Sequence, residues 1–81
     1  MPFYVYIIYS KTIDQFYIGH TVDLTDRLYR HNNSGSKATK KAKDWMLVHT
    51  EQFNSRAEAS AREQEIKQKK SRAYIEMLVR E

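Results

Sequence analysis

The chain contains no cysteine, one proline, two glycines and one tryptophan in 81 residues. Without cysteine there is no disulfide or thiolate–metal staple and no thiol nucleophile. With glycine this scarce, a glycine-rich phosphate loop is excluded. The three histidines lack the spacing of a zinc site, and no helix-turn-helix signature is evident. No apolar run approaches the ~20 residues that span a bilayer. The apolar stretch 3–9 lacks a basic leader and a small-residue cleavage site, so a reducing, cytoplasmic location and no membrane partner are expected. Stability must come from apolar burial alone, in a chain near the lower size limit for unaided folding. The composition permits this, at 41% hydrophobic and 12% aromatic, with six tyrosines. Lys plus Arg outnumber Asp plus Glu by 14 to 10, a net charge of +4. That balance favours polyanions, nucleic acid first among them, although a mildly basic surface also serves plain solubility.

Residues 3–9 are aromatic and β-branched throughout and read as a strand covered on both faces. Residues 15–20 read as its hairpin partner across a polar turn that holds neither Gly nor Asn. Asp23 is placed to cap a helix running to about Asn32, which the Asn32-Asn33-Ser34-Gly35-Ser36 segment would stop. Residues 37–43 carry four lysines and read as an exposed, mobile loop. Trp45 to Phe53 reads as a third strand. Ser55-Arg56-Ala57-Glu58 is a capping box that opens a helix to about Lys70. Ser71 would cap a last helix with Tyr74, Met77 and Leu78 on one face. The expected order is β-β-α-β-α-α: a single α+β domain, 1–81, with a small, mostly antiparallel three-stranded sheet flanked by helices.

Several polar residues fall where chemistry could be placed. Arg27 and His31 lie one helical turn apart, beside the Leu24–Leu28 stripe. An Arg there can grip phosphate, or it can simply be solvated while the His is satisfied in the core. Glu63 shares a helix side with Ala59 and Ile66, where a carboxylate is costly unless paired or bound to a cation. A hard cation such as Mg²⁺ needs only one or two carboxylates beside water and phosphate. The competing reading is a salt bridge to Arg27 or Lys67. Tyr4 and Tyr6 share a strand face, and Tyr17 lies on the neighbouring strand. Gly19, two residues on, removes a side chain from the face of Tyr17 and leaves room for a ligand backbone. Phenols with an ordinary pKa near 10 are poor bases at neutral pH without help from cations or a metal-bound water. His20 can contact phosphate, relay a proton or lie idle at a strand end. Lys37, Lys40, Lys41 and Lys43 suit sequence-independent phosphate contact, and Arg56, Arg62, Lys67, Lys69, Lys70 and Arg72 extend the positive charge.

Jointly, Tyr4-Val5-Tyr6, Tyr17-Ile18-Gly19, Asp23-Leu24-x-x-Arg27-Leu28-x-x-His31-Asn32 and Arg62-Glu63-x-x-Ile66-Lys67 resemble the GIY-YIG nuclease superfamily. The chain is similar to its small single-domain bacterial members from Phe3 to about Leu78. The resemblance implies a metal-dependent DNA endonuclease or phosphodiesterase, structure-directed and acting in repair or recombination. Tyr6 and Tyr17 match the two motif tyrosines, and Tyr17 would be the general base or would orient the water that is. Arg27 matches the phosphate-stabilising Arg, His31 a position held by His or Tyr, and Glu63 the one metal-binding Glu, for a single Mg²⁺ or Mn²⁺. Departures are plain: the first triplet begins with Tyr4 rather than Gly, His20 replaces a Lys of the excision nucleases, and no Asn follows Asn54. Two other functions compete with turnover: a nucleic-acid-binding module that kept the fold, and a protein-interaction domain whose aromatic face docks a partner. A monomer is the default.

Overall fold

The structure is a computed structural model that describes residues 1–33 and 39–81. Strands β1 (Phe3–Ser10), β2 (Gln15–Thr21) and β3 (Met46–Phe53) and helices α1 (Leu24–Asn33), α2 (Arg56–Gln68) and α3 (Arg72–Arg80) follow one another as β1-β2-α1-β3-α2-α3. The fold is α+β, with sheet order β2-β1-β3 and both pairings antiparallel. β1 is central, so its two faces are both covered: Val5, Tyr6, Ile7 and Ile8 are all buried. This is why its seven-residue apolar run shows no alternation.

Opposite faces of the pleat carry separate clusters. Val5, Ile7 and Ile18 pack against Ala59 and Ile66 of α2 and Leu78 of α3. Tyr6 and Ile8 pack on the other side against Ala42 and Trp45, with Tyr17, Leu24 and Leu28 at the margin. Register pairs Tyr6 with Gly19 and Ile8 with Tyr17. Ile7 faces His49 and Ile8 faces Leu47, so Val48 is the extra residue of a bulge in β3.

The hairpin turn lacks Gly but finds two substitutes. Asp14 adopts a left-handed backbone, φ 53°, a conformation its short polar side chain tolerates better than most. Asp44, far along the chain, accepts hydrogen bonds from the Ser10 hydroxyl and from the amide and hydroxyl of Thr12. Asp23 caps α1 by accepting from the Asp26 amide at 3.0 Å. Ser55 caps α2 by accepting from the Glu58 amide, while the Glu58 carboxylate takes the Ser55 hydroxyl. Ser71 caps α3 by accepting from the Tyr74 amide alone, and Lys70 before it is left-handed at φ 48°.

Two expectations are corrected. The lysine-rich segment is not uniformly exposed. Thr39 is fully buried and Ala42 nearly so, while its three described lysines, Lys40, Lys41 and Lys43, are exposed. Lys37 lies outside the described residues. On α3 the packed side chains are Tyr74, Ile75, Leu78 and Val79, and Met77 is exposed. No helix among the described residues is long and apolar enough to cross a membrane.

Candidate active site

α1 turns Leu24, Leu28 and His31 inward, a spacing of four and three, with the two leucines partly buried and His31 buried. His31 therefore occupies the stripe rather than flanking it, and is 5% exposed. Its Nε2 shares a 2.7 Å hydrogen bond with the Tyr6 hydroxyl, and its Nδ1 a 2.9 Å bond with the Thr39 hydroxyl. Both ring nitrogens are thus engaged. The Tyr17 ring lies 5.0 Å from the imidazole, tilted by 59°. Arg27, one turn earlier on α1, is exposed and forms no ion pair among the described residues. Its charge nevertheless acts on both Tyr6 and His31.

These groups push one another's proton affinities apart. Burial, then the neighbouring Tyr17 phenol, raises Tyr6 well above its ordinary value, with Arg27 opposing the shift and Glu63 adding to it. Tyr6 therefore stays a protonated phenol, fit to donate a hydrogen bond and unfit to be a base. Burial, then Arg27, pulls His31 below its ordinary 6.5, so the imidazole is neutral at pH 7. The sign of the resulting pH dependence follows from proton counting. Between the depressed folded value and about 6.5, the unfolded chain binds the extra proton and the folded chain does not, so stability is lost as the pH is lowered through that window. The urea midpoint should therefore decline from pH 7.5 to pH 5.5, and the decline should shrink in His31→Gln. Equal pH profiles for the two proteins would contradict the buried neutral imidazole.

Gly19 plays a part different from the one its sequence context suggests. The space above it is filled by Tyr6 of the same chain, not left for a ligand backbone. A Cβ built there would sit 2.4 Å from the Tyr6 hydroxyl oxygen and 2.6 Å from the ring carbon bearing it. Glycine lets the Tyr6 ring lie across β2 and reach His31. Gly19→Ala is expected to cost about 1–3 kcal/mol, the usual range for overpacking a filled interior, and to break the Tyr6–His31 bond. A thermal melt, together with loss of the hydrogen-bonded imidazole ¹⁵N pattern, would report both effects.

Glu63 belongs to α2, which packs on the opposite face of the sheet. Ala59, Glu63 and Ile66 are its three buried residues, so a carboxylate occupies the middle of an apolar stripe at 8% exposure. Glu63 is not left bare. Its Oε1 accepts from Nδ1 of His20 and its Oε2 from Nζ of Lys67, each at 2.5 Å. Burial opposes ionisation, but hydrogen bonds from Lys67 and then His20 outweigh it and hold the carboxyl below its usual range. The ion pair considered from the sequence thus forms with Lys67, not Arg27. The Lys67 ammonium also sits 5.9 Å from the Tyr17 ring centroid. Because β2 is an edge strand, Lys67 links Glu63 beneath the sheet to Tyr17 above it. The groups of Tyr17, His31, Arg27 and Glu63 all bear on Tyr6, by ring contact, hydrogen bond or charge. Tyr4 shares the strand parity of Tyr6 two residues away and is half-buried.

Among the described residues no cluster of three or more His, Asp or Glu could chelate a metal by itself. One carboxylate is nonetheless compatible with Mg²⁺, which keeps several waters and borrows phosphate oxygens. An ionised carboxylate is the donor type such a cation takes, so the donor chemistry fits, with access governed by Lys67 and His20, which hold its two oxygens.

Not all of the basic late helices are available to phosphate. Arg62 grips Glu51 of β3 with two nitrogens, at 2.8 and 3.1 Å, and also reaches Glu65 and the Tyr74 hydroxyl. Its planar fork knits β3, α2 and α3 together. Arg72 is held by Asp14 and Glu76, and Arg56 and Lys69 lie over the Phe3 and Tyr74 rings. A shallow depression of about 300 Å³ near Phe16, Lys70 and Ile75 is lined by that already paired Arg72.

The sequence reading missed the frame behind His31. Trp45 donates its indole N–H to the Thr39 carbonyl at 2.8 Å. Asn32 holds Trp45 by its backbone, accepting from its amide at 2.7 Å and donating to its carbonyl at 3.1 Å. A lone tryptophan at the end of a lysine-rich segment was the available signal that this segment packs inward.

Comparison with known proteins bears on this arrangement. Residues 2–75 match the GIY-YIG catalytic domain. A UPF0213 protein of Staphylococcus haemolyticus is 42% identical over 65 residues, covering 79% of this chain and 78% of that protein. One from Halobacterium salinarum is 41% identical over 76 residues, covering 93% and 96% respectively. The solution NMR structure of a UPF0213 protein from Bacillus halodurans superposes with a TM-score of 0.60 at 38% identity, covering 98% of this chain and 83% of that one. Since the catalytic-domain match runs through both strands of the hairpin, α1 and the Glu63 helix, this chain belongs to the GIY-YIG nuclease-domain family, among its UPF0213 members.

Proposed function

We propose that the chain is a divalent-cation-dependent DNA endonuclease, hydrolysing phosphodiester bonds with a preference for branched, damaged or single-stranded DNA, as repair or recombination would require. The observation that carries this reading is that the Tyr6 phenol is hydrogen-bonded to His31, whose imidazole packs on the Tyr17 ring, within reach of the charges of Arg27 and Glu63.

Hydrolysis forms one P–O bond from water and breaks another, while the water proton goes to a base and the leaving oxygen is protonated. Tyr17 is the phenol that would orient or deprotonate the water; its ring lies 5.0 Å from the His31 imidazole and 5.9 Å from the Lys67 ammonium, which supports that role. Tyr6 and neutral His31 form a rigid hydrogen-bonded pair that fixes the wall behind it. Arg27, exposed and unpaired among the described residues, offsets charge on the phosphate. Glu63 would hold one Mg²⁺ or Mn²⁺. When bound, that ion would supply Lewis-acid charge neutralisation at the phosphate. Lys40, Lys41 and Lys43 face outward to meet the DNA backbone.

The test is nicking of branched, damaged and single-stranded DNA with Mg²⁺ or Mn²⁺ against an EDTA control, alongside Mn²⁺ titration followed by NMR. Metal-dependent nicking, with line broadening centred on Glu63, is the expected result. One observation favours a second reading: both Glu63 oxygens already accept hydrogen bonds from side chains of the protein. Salt-dependent DNA binding, with no cleavage and no localised broadening, would mark the chain as a nucleic-acid-binding module instead.

A further inference from the structure

Lys67 deserves a role of its own in this site. It lies one helical turn after Glu63, donates to Oε2 at 2.5 Å, and is 40% exposed at its side chain while Glu63 is 11% exposed. A buried carboxylate needs a positive neighbour, and here a flexible, partly solvated ammonium supplies it. The same ammonium stands toward the Tyr17 ring. It thus occupies the stretch between the carboxylate and the phenol, where a hard cation held by Glu63 would meet water and phosphate. His20, by contrast, approaches the other oxygen from the strand.

We infer that Lys67 is a resident counter-ion that competes with the divalent cation for Glu63 and must swing outward for that cation to bind. The inference rests on the proposed metal role of Glu63 and adds regulation to it. The free protein is then held in a metal-poor state. A polyanion that draws the Lys67 ammonium to its phosphates frees Oε2, so that substrate binding and cation loading favour each other, as linkage requires.

Mn²⁺ affinity without DNA, read by paramagnetic broadening and electron spin resonance, tests this. Lys67→Met is expected to bind Mn²⁺ about tenfold more tightly than the unaltered protein, within the usual range of coupling between sites. Lys67→Arg keeps the charge and should show no gain. Lys69→Met makes the same change in net charge, but Lys69 lies over Tyr74, so it should also show no gain. In the unaltered protein, saturating Mg²⁺ should shift the Lys67 Cε resonance as the ammonium leaves. A second neutral variant, Lys67→Gln, serves if the methionine disturbs folding. Equal affinity with and without Lys67, at a site still centred on Glu63, overturns this inference alone. No localised broadening in any variant overturns the metal reading and this inference with it.

Discussion

Glu63→Gln is expected to abolish metal-dependent nicking, with a fall of at least about 10³-fold in kcat, while DNA binding in EDTA changes little. A bound cation contributes several kcal/mol of charge stabilisation at a phosphoryl centre, and about 1.4 kcal/mol corresponds to tenfold in rate. The amide keeps the shape of the side chain but withdraws the charge that a hard cation requires. Arg27→Ala should cost about 10²–10³-fold, the range for removing one preformed charge donor from a transition state. The two variants should differ physically. Arg27 is exposed, so its removal leaves the melting temperature nearly unchanged. Glu63 is buried between His20 and Lys67, so Gln there also loses a hydrogen-bonded pairing and lowers the melt. Parallel assays of nicking and thermal stability check both statements. If the unaltered protein and both variants nick equally, the cleavage belongs to a contaminant.

Trp45→Ala is expected to be the most destabilising of the substitutions considered, at about 3–5 kcal/mol. For a domain of this size that corresponds to a fall in Tm of at least about 15 °C, from a total stability that is itself only about 5–15 kcal/mol. Trp45 is 3% exposed and packs with Tyr6, Ile8 and Ala42. Its indole N–H holds the Thr39 carbonyl, and its backbone is clamped by Asn32, next to His31. Loss of the ring therefore opens a cavity and loosens the segment that supports the imidazole. Trp45→Phe separates the two effects, since it keeps most of the apolar volume and loses the N–H. It should cost about 0.5–1.5 kcal/mol, the net worth of one hydrogen bond, because the Thr39 carbonyl still accepts from the Ala42 amide. Denaturation of the two variants side by side decides the ordering. A Trp45→Ala melt within a few degrees of the unaltered protein would mean that the indole is not part of the core.

What was legible in the sequence was whatever depends on local pattern. The β1 run of seven apolar residues could only be a doubly covered strand. Asp23, Ser55 and Ser71 announce the three helix starts, and the observed caps sit on them. The site residues were legible as motif members, and the intervals Leu24–Leu28 and Ala59–Glu63–Ile66 already placed their helices face-in. Contacts between distant segments were not. Asp44 stabilising the hairpin turn, Thr39 reaching His31 and Arg62 bridging to Glu51 join positions that no local periodicity relates. Gly19 shows the limit most directly. The absence of a side chain there is visible in the sequence, but what fills the space is fixed by cross-strand register and by the length of a tyrosine. The Lys-rich segment misled for a similar reason, because its charge density concealed two small residues that pack inward.

The outer position of β2 has a consequence for assembly. Its outer backbone edge, which pairs with no other strand among the described residues, is flanked by Tyr17 on one side and the Glu63–Lys67 pair on the other. Another strand laid along that edge, from a second copy or a peptide, would wall off the place where the proposed substrate would enter. Any oligomer that leaves this doorway clear has to be built through β3 or the helices, so the site and β-type polymerisation through β2 exclude each other.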